Sequence, residues 1–375
     1  MAVVSTGFFD GVHLGHRLVL RTLVGEAERR GEESIVVTFW PHPRNVLQNG
    51  ARNLRLLTSL EEKKALLKAQ GVSRVEVLTF SKEFAAMTAE AYVRDVLVGR
   101  FGASALVVGY DNRLGSDQLT GDALVSLCGR LGLAALTPPS LSAPSALASP
   151  AAVPGILPET AASRPLPTSV PPLQEQAPSG EERPSGPSLL CGRGWPQVSG
   201  STPGTPPLQP SVPPLQEQAP SGDGCPAVSS TAIRAALSEG HVEEAWAMLG
   251  YGYTLHGVVV EGNRLGRTIG FPTANMQMYE PLKLVPADGV YAVSVETLGR
   301  HFLGMCNIGI RPTVGNGSSR TVETNIFDFD EDIYGLDIRI TFLRRIRSER
   351  RFDSLSSLAD QLSLDRAECL RSAEG

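Results

Sequence analysis

The chain of 375 residues lacks several features that mark particular classes of protein. Its formal net charge is only −5, which favours neither a nucleic-acid partner nor an anionic membrane surface as a binding site. A membrane span needs about 18 or more consecutive apolar residues, and no such run is present. The start of the chain has neither a basic region nor a long apolar region, so we expect no signal peptide.

Cysteine is also scarce. The five cysteines are odd in number, scattered, and without C-x-x-C spacing. This pattern favours reduced thiols in a cytoplasmic protein over a disulfide framework or a metal site. The five are Cys128, Cys191, Cys225, Cys306 and Cys369.

The length predicts two domains with a linker. In the first part of the chain, short apolar runs alternate with amphipathic segments. The predicted strands are residues 3–6, 34–39, 74–79, 105–108 and 133–136, and the predicted helices are 14–30, 60–69, 89–101 and 124–131. Ser59 and Glu62 form a candidate capping box for the second helix. This alternation indicates an α/β fold, a Rossmann-like parallel sheet covered on both faces.

Residues 137–226 differ sharply in composition and hold 22 of the 28 prolines. The twelve residues SVPPLQEQAPSG at 169–180 recur identically at 211–222. A repeat with so little apolar content has nothing to bury, so we predict a disordered Pro-rich insertion rather than a solenoid. A passive low-complexity expansion and a docking site for a partner both remain open.

The last part of the chain is predicted to be mainly β. Helices at 232–238 and 242–249 come first, followed by strands at 254–260, 289–295, 301–308, 321–327 and 337–342 and a final helix at 355–363. Short strands at this spacing predict a small closed β-barrel.

The first candidate site is the string Thr-Gly-Phe-Phe-Asp-Gly-Val-His-Leu-Gly-His at 6–16, where a buried strand ends and a helix begins. Its glycines allow a close approach of the backbone, and the helix start offers N–H groups to a phosphate. His13 and His16 would lie on one side of the first turn, suited to the charge that develops during phosphate transfer. A zinc pair or ordinary loop histidines are the alternatives. The other binding candidates here are Gly7, Phe8, Asp10 and Gly15.

Three further motifs follow elements of the first domain. Pro41 and Pro43 hold His42 rigidly after the second strand, unless this is only a stiff surface turn. Asp111 and Arg113 follow the fourth strand. The string Ser-Ser-Thr at 229–231, with Arg234 one turn later, suits a triphosphate at a helix start, although it could be a simple cap. The candidates in this string are Ser229, Ser230, Thr231 and Arg234.

The second half holds the most specific string, Gly-Arg-Thr-Ile-Gly-Phe-Pro-Thr-Ala-Asn at 266–275. Its glycines allow a loop to wrap phosphates, and Thr273 and Asn275 offer two oxygen ligands for magnesium on ATP. A structural turn would not explain both of these oxygens. The binding candidates are Gly266, Arg267, Gly270, Pro272, Thr273 and Asn275. Further on, Glu323 and Arg347 stand in two more distinctive strings, although either could lie on a solvated face.

Taken in order, these motifs resemble bifunctional riboflavin kinase/FAD synthetase of the prokaryotic type, whose first half carries the signature of HIGH-type nucleotidylyltransferases. The resemblance covers about residues 2–136 and 228–370. It implies an FMN adenylyltransferase domain at 1–136 and 227–249, the insertion at 137–226, and a riboflavin kinase domain at 250–375. It also implies that Glu323 is the catalytic base, that His42, Asp111 and Arg113 lie by flavin and nucleotide, and that Arg347 helps cover the flavin.

The implied reactions convert riboflavin and ATP to FMN, and then FMN and ATP to FAD and pyrophosphate. Mg²⁺ is the implied cofactor and small molecules are the expected partners, with neither nucleic acid nor membrane. Ala232 and Asn325 replace a frequent Arg and a frequent His of the family. Two alternatives remain: a kinase with an inactive first domain, and a flavin-binding sensor that is not an enzyme.

Overall fold

The computed structural model describes residues 1–43, 46, 55–109, 112–138, 228–262, 265–313 and 317–374. Asp111 lies outside the described residues, and so does the predicted Pro-rich insertion apart from residues 137 and 138.

Five parallel strands form the predicted sheet. They are β1 (Ala2–Thr6), β2 (Glu33–Trp40), β3 (Arg74–Thr79), β4 (Ala103–Val107) and β5 (Ala134–Leu136), in the order β3-β2-β1-β4-β5. The chain adds β2 and β3 on one side of β1, and it then crosses to the other side of β1 to add β4 and β5. Ligands of such sheets bind beyond the carboxyl ends of the strands at this point of reversal. The first candidate loop therefore follows the strand that the topology favours.

Helices cover both faces of the sheet, because successive side chains of a strand point to opposite sides. Val3 packs with α1 (Leu14–Arg30), and Val4 packs with the other face. The remaining elements are α2 (Leu60–Ala69), α3 (Lys82–Ala85), α4 (Ala89–Ala91), a π-helical segment (Tyr92–Val98) and α5 (Gly121–Arg130). The predicted capping box is present, since Ser59 and Glu62 exchange side chain-to-backbone hydrogen bonds. The short helix α3 was not predicted.

Two helices lead from the sheet to the barrel. They are α6 (Ser230–Glu239) and α7 (Val242–Leu249), and both end in a glycine with left-handed backbone, Gly240 and Gly250. Both were predicted. Their buried apolar side chains join the core of the barrel, whereas the first turn of α6 reaches the carboxyl end of the sheet.

Six antiparallel strands form the predicted closed barrel, in the order β10-β7-β6-β11-β8-β9. They are β6 (Thr254–Val260), β7 (Ala274–Met278), β8 (Gly289–Thr297), β9 (Arg300–Thr313), β10 (Gly317–Ile326) and β11 (Asp337–Arg347). A short helix, α8 (Leu265–Thr268), precedes β7, and α9 (Leu355–Glu374) ends the described chain. Sequence reasoning missed β7 and ended the last helix eleven residues early, at 363 instead of 374.

Sheet and barrel belong to one compact unit and touch through the segment before α2. Leu56 exchanges two backbone hydrogen bonds with Leu282 and Leu284, each 2.8 Å long. Glu62 and Lys283 form a buried ion pair beside them. Burial by itself would raise the pKa of the Glu62 carboxyl. The Lys283 ammonium favours the charged form, and the pKa of Glu62 is lowered overall, so Glu62 stays ionised. Of the helices in the described ranges, none is long and apolar enough to cross a membrane.

Candidate active sites

The loop after β1 has an unusual backbone. Phe9, Gly11 and Val12 have φ values of 48°, 83° and 36°, and only glycine adopts such values readily. A Cβ at Gly11 would lie 2.8 Å from the Leu57 side chain, so the loop is also packed tightly against the segment before α2. Gly11 is thus required by packing within the protein, and the close approach of this loop to a phosphate stays a prediction.

Asp10 anchors this loop. Its side chain is only 5% exposed, and its carboxylate accepts hydrogen bonds from the Leu57 and Thr58 amides, each 3.1 Å long. Arg234 Nη2 lies 2.5 Å from Asp10 Oδ2, and its Nε donates to the Arg55 carbonyl at 2.8 Å. Asp10 therefore lies at the edge of the cavity with its carboxylate almost fully buried, and it orients the arginine that we predicted beside the phosphates.

The two histidines lie together, as the spacing predicts. Their rings stack at 3.7 Å, and His13 Nδ1 accepts a hydrogen bond from the His16 amide at 3.4 Å, which caps α1. His16 reaches the cavity, whereas His13 is 6% exposed and lies behind it. Burial, and then the neighbouring His13, lower the pKa of His16, so its imidazole is neutral at pH 7. Gly15 packs against the His13 ring.

A cavity of about 700 Å³ opens beside this loop. One wall is aromatic: the Phe8 ring lies 4.8 Å from the His42 ring and 5.2 Å from the Phe39 ring. The rest of this wall comes from Phe80, Phe84 and Tyr92. Sequence reasoning missed these three residues. Phe80 directly follows β3, so its place at the carboxyl edge of the sheet could have been predicted.

The cavity is also lined by polar residues, some of them from the first turn of α6. Ser229 caps this helix by accepting the Ala232 amide at 3.2 Å, and the Ser230 hydroxyl donates to the Asp10 carbonyl at 2.9 Å. Ser230 and Arg234 line the cavity, whereas Thr231 is exposed away from it. The helix-cap interpretation thus holds for Ser229.

The segment after β4 adds to this polar lining. Arg113 lines the cavity and donates to Gln118 at 3.3 Å. Asn112, which we did not predict, donates to the Thr6 carbonyl at 2.8 Å and so ties the segment to β1. Gly7 also lines the cavity, and a Cβ at this position would lie 3.6 Å from the Asn112 side chain.

The barrel holds two smaller cavities, of about 270 Å³ and 400 Å³, and Thr273 lines both. The smaller one is also lined by Arg267, Pro272 and Asn275. A Cβ at Gly262 would lie 2.2 Å from the Asn275 amide, so only a glycine fits beside that side chain. A Cβ at Gly266 would lie equally close to the Phe271 carbonyl oxygen. Gly270, with a φ of 82°, forms the turn between α8 and β7.

Glu323 lies in the larger cavity, next to Asn307 of β9 and Asn275 of β7 in the strand register. Because β10 pairs with β7, Glu323 lies directly beside Asn275, one of the two predicted magnesium ligands. Asn325, two residues further along β10, donates to the Pro272 carbonyl at 2.6 Å and so fixes the backbone just before Thr273. Because side chains two residues apart share a face of a strand, Asn325 lines the same cavity.

Arg347 lines the same cavity, but its guanidinium is committed to Asp365 of α9. Its Nη2 lies 2.7 Å from Asp365 Oδ2, and its Nε is 3.0 Å from both carboxylate oxygens. The guanidinium carbon lies 5.6 Å from the centre of the Phe352 ring. Arg347 thus fastens the last helix over the cavity, and Asp365 lay beyond the helix end that we predicted.

Comparison with known proteins matches both halves of the chain. The family model described as riboflavin kinase matches residues 249–373, and that described as FAD synthetase matches residues 1–142. The bifunctional riboflavin kinase/FMN adenylyltransferase of Bacillus subtilis is 30% identical over 372 residues, 99% of this chain and 92% of its own. That of Escherichia coli K12 is 31% identical over 364 residues, 97% of this chain and 90% of its own.

A crystal structure described as a macrolide-efflux protein from Streptococcus pneumoniae has a TM-score of 0.68 and 27% identity, and covers 98% of this chain and 92% of its own. Fold and matches together define a two-part protein, with a sheet of the FAD synthetase type and a barrel of the riboflavin kinase type. The chain belongs to the bifunctional riboflavin kinase/FMN adenylyltransferase family, which confirms the resemblance drawn from its motifs.

Proposed function

We propose that this chain phosphorylates riboflavin to FMN with ATP, and then adenylylates FMN with a second ATP to give FAD and pyrophosphate. The observation that carries the proposal is the presence of two separate sites with different chemistry. The barrel presents a carboxylate, Glu323, to a cavity. The sheet presents a neutral imidazole, His16, and a guanidinium, Arg234, to another cavity.

The two activities are assigned to the two halves of the chain. Residues 1–136 and 227–249 form the adenylyltransferase, 250–375 the kinase, and 137–226 an insertion between parts of the first. The start of α6 at the carboxyl edge of the sheet supports the grouping of 227–249 with the first domain. Free buried cysteines support a cytoplasmic location, and burial raises the pKa of the Cys306 thiol to about 12.

In the kinase, riboflavin occupies the cavity of Glu323 and ATP occupies the neighbouring one. The two cavities meet at Thr273, which is where the γ-phosphate has to lie for transfer between them. Glu323 takes the proton of the riboflavin 5′-hydroxyl as its oxygen bonds to the γ-phosphorus. The bond between that phosphorus and the bridging oxygen breaks, and ADP leaves. A neutral hydroxyl needs such a base, because it is a poor nucleophile.

Thr273 and Asn275 are proposed to hold Mg²⁺ on ATP. A hydroxyl and an amide oxygen are hard, neutral ligands, which suit a metal already charge-balanced by phosphates. The fit is supported by Gly262, because the space that a Cβ would fill lies directly at the Asn275 amide. When bound, the ion would neutralise charge that develops on the β- and γ-phosphate oxygens. The protein residues position the phosphates and the hydroxyl around it.

In the adenylyltransferase, the flavin ring of FMN lies against the aromatic wall and its phosphate points to the loop after β1. The FMN phosphate is already ionised at pH 7 and attacks the α-phosphorus of ATP without a general base, while the bond to the pyrophosphate oxygen breaks. His16, as a neutral hydrogen-bond donor, and Arg234 stabilise charge on the phosphate oxygens. His13 acts through its stack with His16. Arg113 lies at the cavity rim, exposed to the nucleotide.

Incubation of pure protein with riboflavin and Mg-ATP, followed by chromatography, tests the proposal. We expect FMN first and FAD after it. FMN without FAD would support a kinase with an inactive first domain, and the absence of both would support a flavin-binding sensor.

We expect the chain lacking residues 141–224 to form FAD from FMN at the wild-type rate. Lengthening a flexible loop from about ten to about ninety residues costs only about 2 kcal/mol in closure entropy, so the insertion is compatible with a complete site. Initial rates of FAD formation by the deleted and full chains check this. A loss of FAD formation with FMN formation kept would contradict the passive role of the insertion.

A further inference from the structure

The loop after β1 has its peptide carbonyls held by side chains from other parts of the molecule. Lys63 and Thr38 donate to the Phe8 carbonyl, at 3.1 and 3.2 Å. Ser230 donates to the Asp10 carbonyl at 2.9 Å. The next two carbonyls accept from Tyr251, 2.7 Å from Gly11 O, and from Arg17 Nε, 3.4 Å from Val12 O.

This arrangement explains how the loop keeps an unfavourable backbone. Phe9 and Val12 have positive φ values, which cost energy for residues other than glycine. Such a conformation persists only where its surroundings fix it from several directions. The donors come from β2, α2, α6, α1 and the segment before β6, so five parts of the chain hold the carbonyls of this loop.

Tyr251 is the donor that comes from the segment joining α7 to β6. Its ring packs against the core of the sheet and against the core of the barrel. The Arg17 guanidinium carbon lies 5.5 Å from the centre of the ring. Burial raises the pKa of the Tyr251 phenol, which therefore remains a protonated donor.

The glycines on either side fix the position of this tyrosine. A Cβ at Gly250 would lie 2.8 Å from Leu14 of α1, and a Cβ at Gly252 would lie 2.5 Å from Thr341 of β11. The backbone on either side of Tyr251 thus passes closely by α1 and β11, which leaves it little room to shift.

We propose that Tyr251 is a positioning residue for adenylyl transfer. Its hydroxyl holds the Gly11 carbonyl, two residues before the His13 cap on which His16 stacks. The tyrosine acts through the loop and makes no contact with substrate. Tyr251 lies just before the first strand of the barrel. The kinase half of the chain thus supplies a residue that shapes the adenylyltransferase site. This inference rests on the proposed FAD-forming activity.

The test compares Tyr251→Phe with Tyr253→Phe in the full chain. Tyr253 is a matched control, because it lies two residues away, is 1% exposed, and donates to the Leu284 carbonyl at 2.6 Å. Each variant loses one phenol-to-carbonyl hydrogen bond, part-buried for Tyr251 and buried for Tyr253, so both should lose thermal stability of the same order. Only Tyr251→Phe should lower kcat for FAD formation from FMN, by about tenfold, with KM for FMN nearly unchanged. FMN formation should stay at the wild-type rate in both.

Equal kcat for FAD formation in the two variants, or a loss of both activities in Tyr251→Phe, would overturn the role of Tyr251. Wild-type protein in the same assay distinguishes failure of the positioning role from failure of the proposed function. If the wild type forms no FAD from FMN, the adenylyltransferase assignment itself fails. If it does and Tyr251→Phe matches it, only the positioning role fails.

Discussion

Replacing Glu323 with glutamine should strongly reduce FMN formation and leave the conversion of FMN to FAD intact. Glutamine keeps the size of the side chain and one of its two acceptor oxygens but cannot take the proton of the riboflavin hydroxyl. General-base catalysis contributes about 10² to 10⁴ to a rate, so kcat for FMN formation should fall by that factor. Initial rates of both half-reactions, measured separately with riboflavin and with FMN, check this.

The control for this variant is Glu296→Gln. Glu296 lies on β8 of the same barrel and pairs with Arg339 at 3.4 Å, on the outer surface away from both cavities. It removes the same charge from the same domain and should leave both rates unchanged. If Glu323→Gln kept wild-type FMN formation, the proton would have to go elsewhere and the assignment of the base would be wrong.

Replacing His16 with alanine should produce the reverse pattern. His16 is the histidine that reaches the cavity, and its lowered pKa makes it a neutral donor at pH 7. Removing one preorganised donor to a developing charge typically costs about 10² to 10³ in kcat. FAD formation from FMN should therefore fall by about that factor, whereas FMN formation from riboflavin should keep its rate.

His241→Ala is the control, because His241 also lies at the N-terminal end of a helix but its side chain is exposed. It should affect neither activity. A fall in both activities of His16→Ala would point to a general loss of structure, and the two-site account would then lack its support.

Regular elements were predictable where local chemistry determines them. The helix at 14–30 has the predicted bounds because His13 caps its start and Gly31, with a φ of 66°, ends it. Strand β7 was missed because its neighbours Pro272 and Thr273 belong to a string that indicates a phosphate loop. The loop and strand are continuous, so one motif supplies both a turn and a barrel strand.

The walls of the sites were harder to predict, because they depend on contacts between distant segments. Asp10 lies at the cavity, but its carboxylate is also held by the Leu57 and Thr58 amides and by Arg234, and no local pattern marks such partners. Arg347 was predicted at its cavity, but its pairing with Asp365 depends on where the last helix docks.

The most direct test of the two-site account is a mixture of His16→Ala and Glu323→Gln proteins supplied with riboflavin and Mg-ATP. Separately, the first should accumulate FMN and the second should form neither product. Together they should form FAD, because FMN made in one barrel can diffuse to the intact sheet of the other protein. If the mixture formed FMN but no FAD, while Glu323→Gln alone failed to convert added FMN, the account of two independent sites would be contradicted.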